Sequence, residues 1–408
     1  MTSQATPTSN EQAAAESVPA WMTLLLATAC GLIVGNVYYA QPLIGLIAPA
    51  IGLDKANAGL IVGLTQGGYC VGLLLLAPLG DLVENRWLIV YSLSASVLAL
   101  LLAAVAPSAP WFLAASLLIG VSSVSVQMLV PIAAHLAPDS IRGRVVGNVM
   151  SGLLLGIMLA RPMSSLVANY FGWRTVFGAS AILMAGVAFA LRALLPERRP
   201  EATHNYASLI GSLWKIFRDM PVLRRRAAYQ TALFAGFGLF WTAVPLELAG
   251  PTFGLTQRGI AFFALAGAAG ALSAPIAGRL ADRGWSRIAT GACFVLAAIS
   301  FVIAWVGGHG SIVALLAAGI LLDMGVQGNQ ILGQRAIYAL SAESRSRLNG
   351  LYVAMFFAGG AVGSATASIA YARSGWSLVC LIGLIFPLIA LALFATEFVR
   401  PQSAGAGG

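Results

Sequence analysis

The chain has 408 residues, of which 59% are hydrophobic and 9% charged, and its mean hydropathy is +0.86. A soluble domain carries about 25% charged residues, so this composition excludes a water-exposed surface over most of the chain. The formal charge of +9 is scattered between apolar runs and forms no single basic patch, which argues against nucleic acid as a partner.

Residues 1–20 are polar and rich in Ala, Ser, Thr and Gln, and are expected to form a disordered tail. No Lys or Arg precedes Lys55, so a basic n-region is missing and the first apolar span is expected to be retained rather than cleaved. A membrane-crossing helix needs about 20 apolar residues. Twelve such spans are predicted, at 22–48, 57–80, 87–106, 111–136, 145–168, 174–195, 228–250, 258–281, 288–306, 311–338, 348–372 and 376–397. They give an all-α membrane protein with a six-helix bundle over 21–195, a linker over 196–227, a second six-helix bundle over 228–397 and a tail over 398–408. In the linker, Tyr206, Leu209, Ile210, Leu213, Trp214, Ile216, Phe217 and Met220 recur at helical spacing opposite Ser208, Ser212, Lys215 and Asp219, the pattern of an amphipathic helix lying at lipid headgroups.

Basic residues set the expected orientation. The loops after even-numbered spans hold 18 of the 23 Lys and Arg residues, so both termini and the linker are expected in the cytoplasm of a bacterial cell, with the spans in its inner membrane. Cys30, Cys70, Cys293 and Cys380 all fall inside apolar spans and read as small core residues rather than disulfide or metal ligands. His135, His204 and His309 sit at span ends or in loops, and no metal or cofactor is expected.

The two bundles carry the same punctuation. Asp81 and Arg86 recur as Asp282 and Arg287 at an offset of 201, while Arg142 and Arg144 recur as Arg345 and Arg347 at 203. Gly172-Trp173 recurs as Gly375-Trp376, again at 203. Each pair falls on the same side of the membrane, so the halves are parallel repeats about an axis along the membrane normal, with a solute site expected near the midplane between them.

The stretch Gly278-Arg279-Leu280-Ala281-Asp282-Arg283, followed by Arg287, resembles the loop signature of the major facilitator superfamily, and the resemblance runs along all the predicted spans. The first-half copy, Ala77 to Arg86, keeps the Asp and the final Arg but lacks the leading Gly and the middle basic residue. Gly152, Gly156, Ala160, Arg161 and Pro162 are similar to the glycine-rich fifth span of the proton-driven efflux members, with Arg161 in place of a glycine. Ser116 stands where many of those antiporters carry an arginine. With Tyr-Ala-Gln-Pro at 39–42 and Leu-Asp-x-Gly-x-Gln at 322–327, the chain resembles the bacterial sugar- and drug-efflux permeases. The resemblance implies a gating role for Asp81 and Asp282, supported by Arg86, Arg144, Arg283, Arg287 and Arg347. Such aspartates suit the positive N-terminal end of a neighbouring helix, and solvated topology signals are the alternative.

Charges inside a bilayer cost roughly 2.5–3.5 kcal/mol each and usually face a cavity or a partner. Three are expected there, Asp323, Glu247 and Arg161, and they are the candidates for proton coupling. Asp323 lies near the midplane, Arg161 nearer the periplasmic side and Glu247 within a turn of the periplasmic end. Gln327 and Gln330 continue the Asp323 face, as does Gln334, and packing of the bundle is the competing explanation. Asn36, Tyr39, Gln41, Gln66, Gln127 and Trp241 are further cavity candidates. Gly152, Gly156, Gly359, Gly360 and Gly363 are expected to let helices approach closely along the seam between halves. No phosphate-binding loop, activated nucleophile or metal cluster is legible, so an enzyme is not expected. The expected function is secondary active transport of a small organic solute by a monomer, with proton-coupled efflux by antiport ahead of proton-coupled uptake and of an uncoupled facilitator or sensor.

Overall fold

In hydrocarbon every backbone N–H and C=O must be paired within its own segment, so long apolar runs have little choice but to be helical. The computed structural model describes residues 19–197, 205–267, 269–270, 273–341 and 344–399, and among these there are helices and turns but no strand. Most of the tail expected over 1–20, and all but the first two residues of the one expected over 398–408, lie outside the described residues.

The first half comprises α1 (Ala20–Gly35), α2 (Ile44–Ala50), α3 (Leu60–Leu75), α4 (Asn85–Val105), α5 (Ala109–Ser122), α6 (Val126–Leu136), α7 (Arg142–Phe171) and α8 (Trp173–Leu194). A separate helix, α9 (Tyr206–Asp219), leads into the second half: α10 (Pro221–Ala249), α11 (Gln257–Gly267), α12 (Ser273–Asp282), α13 (Ser286–Gly307), α14 (Ile312–Tyr338) and α15 (Arg345–Val399).

Among the described residues nine stretches are long and apolar enough to cross a membrane, against the twelve expected, and the difference has local causes. The first expected span breaks after Gly35, turns through 36–40 and resumes as a 3-10 turn over Gln41–Leu43, where Pro42 contributes no N–H donor. The eighth is described in two pieces, α11 and α12, because residues 268, 271 and 272 between them lie outside the described residues. The eleventh and twelfth run together as α15, bent sharply at Ser374 and Gly375. The φ of Gly375 is 65°, in the left-handed region where a Cβ is strained.

Small residues set the closest approaches. Gly152 and Gly156 of α7 pack on Ala27 and Gly31 of α1, and Gly359 and Gly363 of α15 pack on Thr231 and Ala235 of α10. These contacts lie inside one half, so four of the five glycines expected along the seam serve each bundle's own packing. Gly360 alone reaches across, to Gln66 of α3. The seam itself is made by Gly59 and Gly63. Their backbone lies against Ser364 and Ala361 of α15, and Gly59 N–H donates to Ser368 Oγ at 2.8 Å.

Contact between halves therefore concentrates at the end opposite the chain's two termini. There α3 meets α15, and Arg258 N–H donates to Asn169 Oδ1 at 3.3 Å, beside the start of α11 and the end of α7. At the other end Gly143 and Gly147 of α7, Gly278 of α12 and Gly350 of α15 have open space around them. The molecule is closed at one end and splayed at the terminus-bearing end. Across the splayed end lies α9, whose Leu209, Leu213 and Ile216 are buried. Tyr206 Oη donates to Leu75 O of the first half at 2.9 Å, and Arg347 of the second half donates to Ser212 Oγ at 3.2 Å.

Gly59→Val is expected to prise the closed end apart, because its Cβ falls inside contact distance of the Ser364 carbonyl. Gly147→Val is expected to leave this conformation intact. Thiol labelling of a single cysteine introduced at the closed end checks both: labelling rises in the first variant and stays at the parent level in the second.

Candidate functional site

Midway through the helices a buried polar network crosses the seam. It starts at Arg161 of α7, which is 6% exposed, and at Asp323 of α14, which is 5% exposed. The two charges form no direct ion pair, yet they lie close enough to be electrostatically coupled. Trp241 of α10 connects them. The Arg161 guanidinium sits over its ring at 4.5 Å from the centroid, and its indole Nε1–H donates to Asp323 Oδ1 at 2.8 Å. Tyr38 and Phe237 close around the same guanidinium at 5.2 and 5.0 Å. Cation–π contacts of this desolvated kind contribute about 2 kcal/mol, which offsets part of the cost of burying an arginine.

A line of hydrogen bonds continues from the arginine. Arg161 Nε donates to Gln41 Oε1 at 2.8 Å, and Gln41 Nε2 donates to Thr242 Oγ1 at 3.4 Å. Thr242 donates to Ser364 Oγ at 3.2 Å, and Ser364 donates to Gln66 Oε1 at 3.5 Å. The line passes from the first half to the second and back. The break after Gly35 makes this possible, because the turn over 36–40 and the 3-10 segment bring Tyr38 and Gln41 to Arg161. Non-helical backbone at this depth is tolerated where protein buries it or where it lines a cavity.

Of the residues singled out from sequence, Arg161, Asp323, Trp241, Gln41 and Gln66 thus meet in one network. Asn36 lies on the turn beside it and accepts a hydrogen bond from Ser180 of α8 at 2.5 Å. Gln127 is elsewhere, donating to Tyr69 Oη at 2.9 Å, and the Tyr69 ring packs at a tilt against Phe357 of the other half with ring centroids 4.6 Å apart. Gln327 and Gln330 are partly buried on the Asp323 face of α14 with no side-chain hydrogen bond, whereas Gln334 pairs with Asn349. Glu247 is at the far end of α10, hydrogen-bonded by Tyr371, and takes no part in the network.

Sequence reasoning passed over Tyr38, Phe237, Thr242 and Ser364. Hydroxyl and aromatic side chains in apolar helices look the same whether they pack or serve a site. It also passed over a second buried pair, Asn329 Nδ2 donating to Gln230 Oε1 at 2.7 Å.

Tyr39 lines a separate cavity of about 1000 Å³ between α1, α7 and α8. Its walls are mainly apolar, with Leu24, Leu155, Leu159 and Met163 exposed, and Arg144 also lines it. Arg161, Trp241 and Asp323 do not line it, so this is a lateral groove on the apolar flank rather than the central site.

The residues of the expected gating loops all lie at the splayed end. Asp81 is exposed and pairs with nothing among the described residues, while Glu84 caps α4 through Arg86 N at 3.0 Å and Trp87 N at 2.7 Å. Asp282 pairs with Arg335 of α14 at 2.5 Å. Arg144 and Arg283 are exposed and make no hydrogen bond or ion pair. Arg86 and Arg287 show where the repeat has a partner that was not foreseen. Arg86 binds Glu197 after α8, and Arg287 lies 3.8 Å from Glu397 near the end of α15. Arg225 and Tyr229 also converge on Glu397, at 3.7 and 2.7 Å. Arg86 and Arg287 therefore each staple their own half.

Comparison with known proteins agrees with this architecture. The Major Facilitator Superfamily profile matches residues 24–308 and 229–407. The chain is 42% identical to the uncharacterized transporter YgaY of Escherichia coli O157:H7 over 94% of this chain and 97% of that one. It is 35% identical to the probable transporter SCO4007 of Streptomyces coelicolor over 87% of this chain and 83% of that one. Among solved structures, the nucleoside transporter NupG superposes with a TM-score of 0.74 at 15% identity, covering 93% of this chain and 99% of that one. A bacterial homolog of the human lysosomal transporter Spinster, in an inward-facing and unoccupied conformation, superposes at 0.71 and 14% identity, covering 95% and 100%. The chain belongs to the Major Facilitator Superfamily and is a multi-pass membrane transporter.

Proposed function

We propose that this transporter moves a small organic solute across a bacterial inner membrane by alternating access and couples that movement to protons at Asp323. The observation that carries the reading is the Arg161–Trp241–Asp323 bridge. It joins α7 of the first half to α10 and α14 of the second in the plane about which the halves must rock. Opening the closed end separates α3 from α15, and with them the Gln41–Thr242 and Ser364–Gln66 bonds. The same movement changes the distance from Asp323 to its positive neighbour. In a medium of low dielectric that distance governs whether the carboxyl holds a proton. One conformation then binds the proton and the other releases it.

Both termini and α9 are placed in the cytoplasm on the charge bias of the loops, which makes the conformation described inward-open. Arg144, Arg283, Arg347, Asp81 and Asp282 are read as gating groups at that end, free, paired within one half or bonded to α9 here, and re-paired when the end closes. Export in exchange for protons is the direction given by the likeness of α7 to the glycine-rich span of efflux members. Import together with protons is the second reading, favoured by the unpartnered Arg161 Nη2 in the site.

In proteoliposomes under an imposed pH gradient, a transported compound found by screening should be concentrated by the wild type, whereas Asp323→Asn should only equilibrate it. Gradient-driven accumulation by Asp323→Asn would remove Asp323 from the coupling. For orientation, fluorescent-protein fusions at either terminus should fluoresce and alkaline phosphatase fusions there should be inactive. The reverse pattern would invert the assignment of the two faces.

A further inference from the structure

We propose that the transported solute is a small, largely apolar monocarboxylate whose carboxylate takes Arg161 as its counter-charge. The inference rests on the proton-coupled reading of the same site and, of its two directions, selects import with protons.

The buried side-chain atoms around the network that lack a partner are all N–H donors. Arg161 Nε is used by Gln41, but Nη2 is fully buried and has no partner. Gln66 Nε2 and Asn36 Nδ2, from the same half, are likewise buried and unpaired. An amide drawn the other way round would present an acceptor. A guanidinium has five N–H donors and no acceptor in any orientation, so Arg161 fixes the sign of what binds. Carboxylate is the group that matches its planar fork.

The remaining groups narrow the class. Thr242, Ser364 and the carbonyl oxygens of Gln41 and Gln66 are spent on one another, so within the network itself few acceptors remain for the hydroxyls of a sugar, and the unpaired Gln327 and Gln330 lie outside it on the Asp323 face. A cationic solute meets Arg161 itself. A dianion such as a phosphate ester needs more positive charge than one arginine supplies, and no second cation belongs to the network. The walls around the guanidinium are the rings of Tyr38, Phe237 and Trp241, which suit a planar apolar body.

Charge balance gives the coupling. The charged or titratable groups that face Asp323 are Arg161 of α7 and Tyr38 beyond α1. From α10 comes Trp241, which does not titrate. Gly270, between α11 and α12, packs on the Asp323 Cβ, and Cys293 of α13 faces Gly325 and Gly328 instead. When a carboxylate occupies Arg161, Asp323 loses its single positive neighbour and takes a proton from solution. The solute stays ionised, no covalent bond changes apart from the new O–H of the aspartic acid, and anion and proton travel together.

The test uses purified full-length protein in detergent, with acetate, benzoate and phenylacetate as probes and the amide of each as the neutral control. Thermal stability and proton uptake from weakly buffered solution are read at about pH 6 and about pH 8, both above the ordinary carboxylic acid range. At least one carboxylate should bind, with its amide weaker by about tenfold to a hundredfold. Arg161→Gln should erase the preference and Arg161→Lys should keep part of it. Binding to the wild type should tighten toward the lower pH and take up protons, whereas Asp323→Asn should bind without either effect. Equal binding of acid and amide, no binding of any carboxylate, or an undiminished preference in Arg161→Gln would overturn the proposal, and the first two need no variant to fold. Carboxylate preference through Arg161 without proton uptake would uphold the solute class and sink the proton-coupled reading. Asp323-dependent, proton-driven transport with no carboxylate preference would do the opposite.

Discussion

Two opposite charges, Arg161 and Asp323, are buried in the middle of the protein and held apart by the ring of Trp241. Removing such ions from water costs several kcal/mol each, and a direct pair is the usual compensation. Here the compensation is distributed and incomplete: three aromatic rings and one amide contact the arginine, whose Nη2 stays unpaired, and one indole N–H donates to the aspartate. A hydrophobic core of the same volume serves stability at least as well. The arrangement makes sense as a mobile one, in which charges that cannot be neutralised fully in place respond to movement of the halves.

The rest of the fold is built around leaving that site mobile without leaving it loose. Within each half, glycines bring α1 onto α7 and α10 onto α15 at backbone distance, so each bundle moves as a body. Arg86 with Glu197, and Arg287 with Glu397, fasten the ends of those bundles in equivalent places. Exposed pairs of this kind contribute roughly 0–1 kcal/mol each, which is enough to orient a helix end and too little to prevent rocking. Between the halves, backbone contacts of Gly59 and Gly63 with α15 close one end and the polar network crosses the middle. The helix α9 touches both halves at the splayed end through single hydrogen bonds, a tether compatible with either conformation.

Much of this was legible in the sequence because a bilayer restricts the choices. Apolar length gave helices, the offset of 201 to 203 between repeated residues gave two like halves, and the rarity of charge in apolar spans marked Arg161 and Asp323. What pairs with what was not legible. Trp241 was a cavity candidate with no stated partner, and Tyr38, Thr242 and Ser364 are residue types that apolar helices also use for packing. The seam's glycines were misassigned for a related reason: Gly152 and Gly359 follow a small-residue pattern that any close helix pair satisfies, and pattern alone does not name the partner helix. The break in the first span escaped hydropathy because apolar residues flank the turn on both sides. Glu197 and Glu397 escaped the repeat comparison because their neighbours differ, Pro-Glu-Arg in one half and Thr-Glu-Phe in the other.

The central claim is that Asp323 exchanges a proton as the two halves move. Infrared difference spectroscopy of the purified protein, recorded as the pH is stepped, reads that event through the carbonyl band of a buried, protonated carboxylic acid. Such a band is expected in the wild type, displaced in Arg161→Gln and missing in Asp323→Asn. A band that survives Asp323→Asn unchanged, or the absence of any band in the wild type, would contradict it.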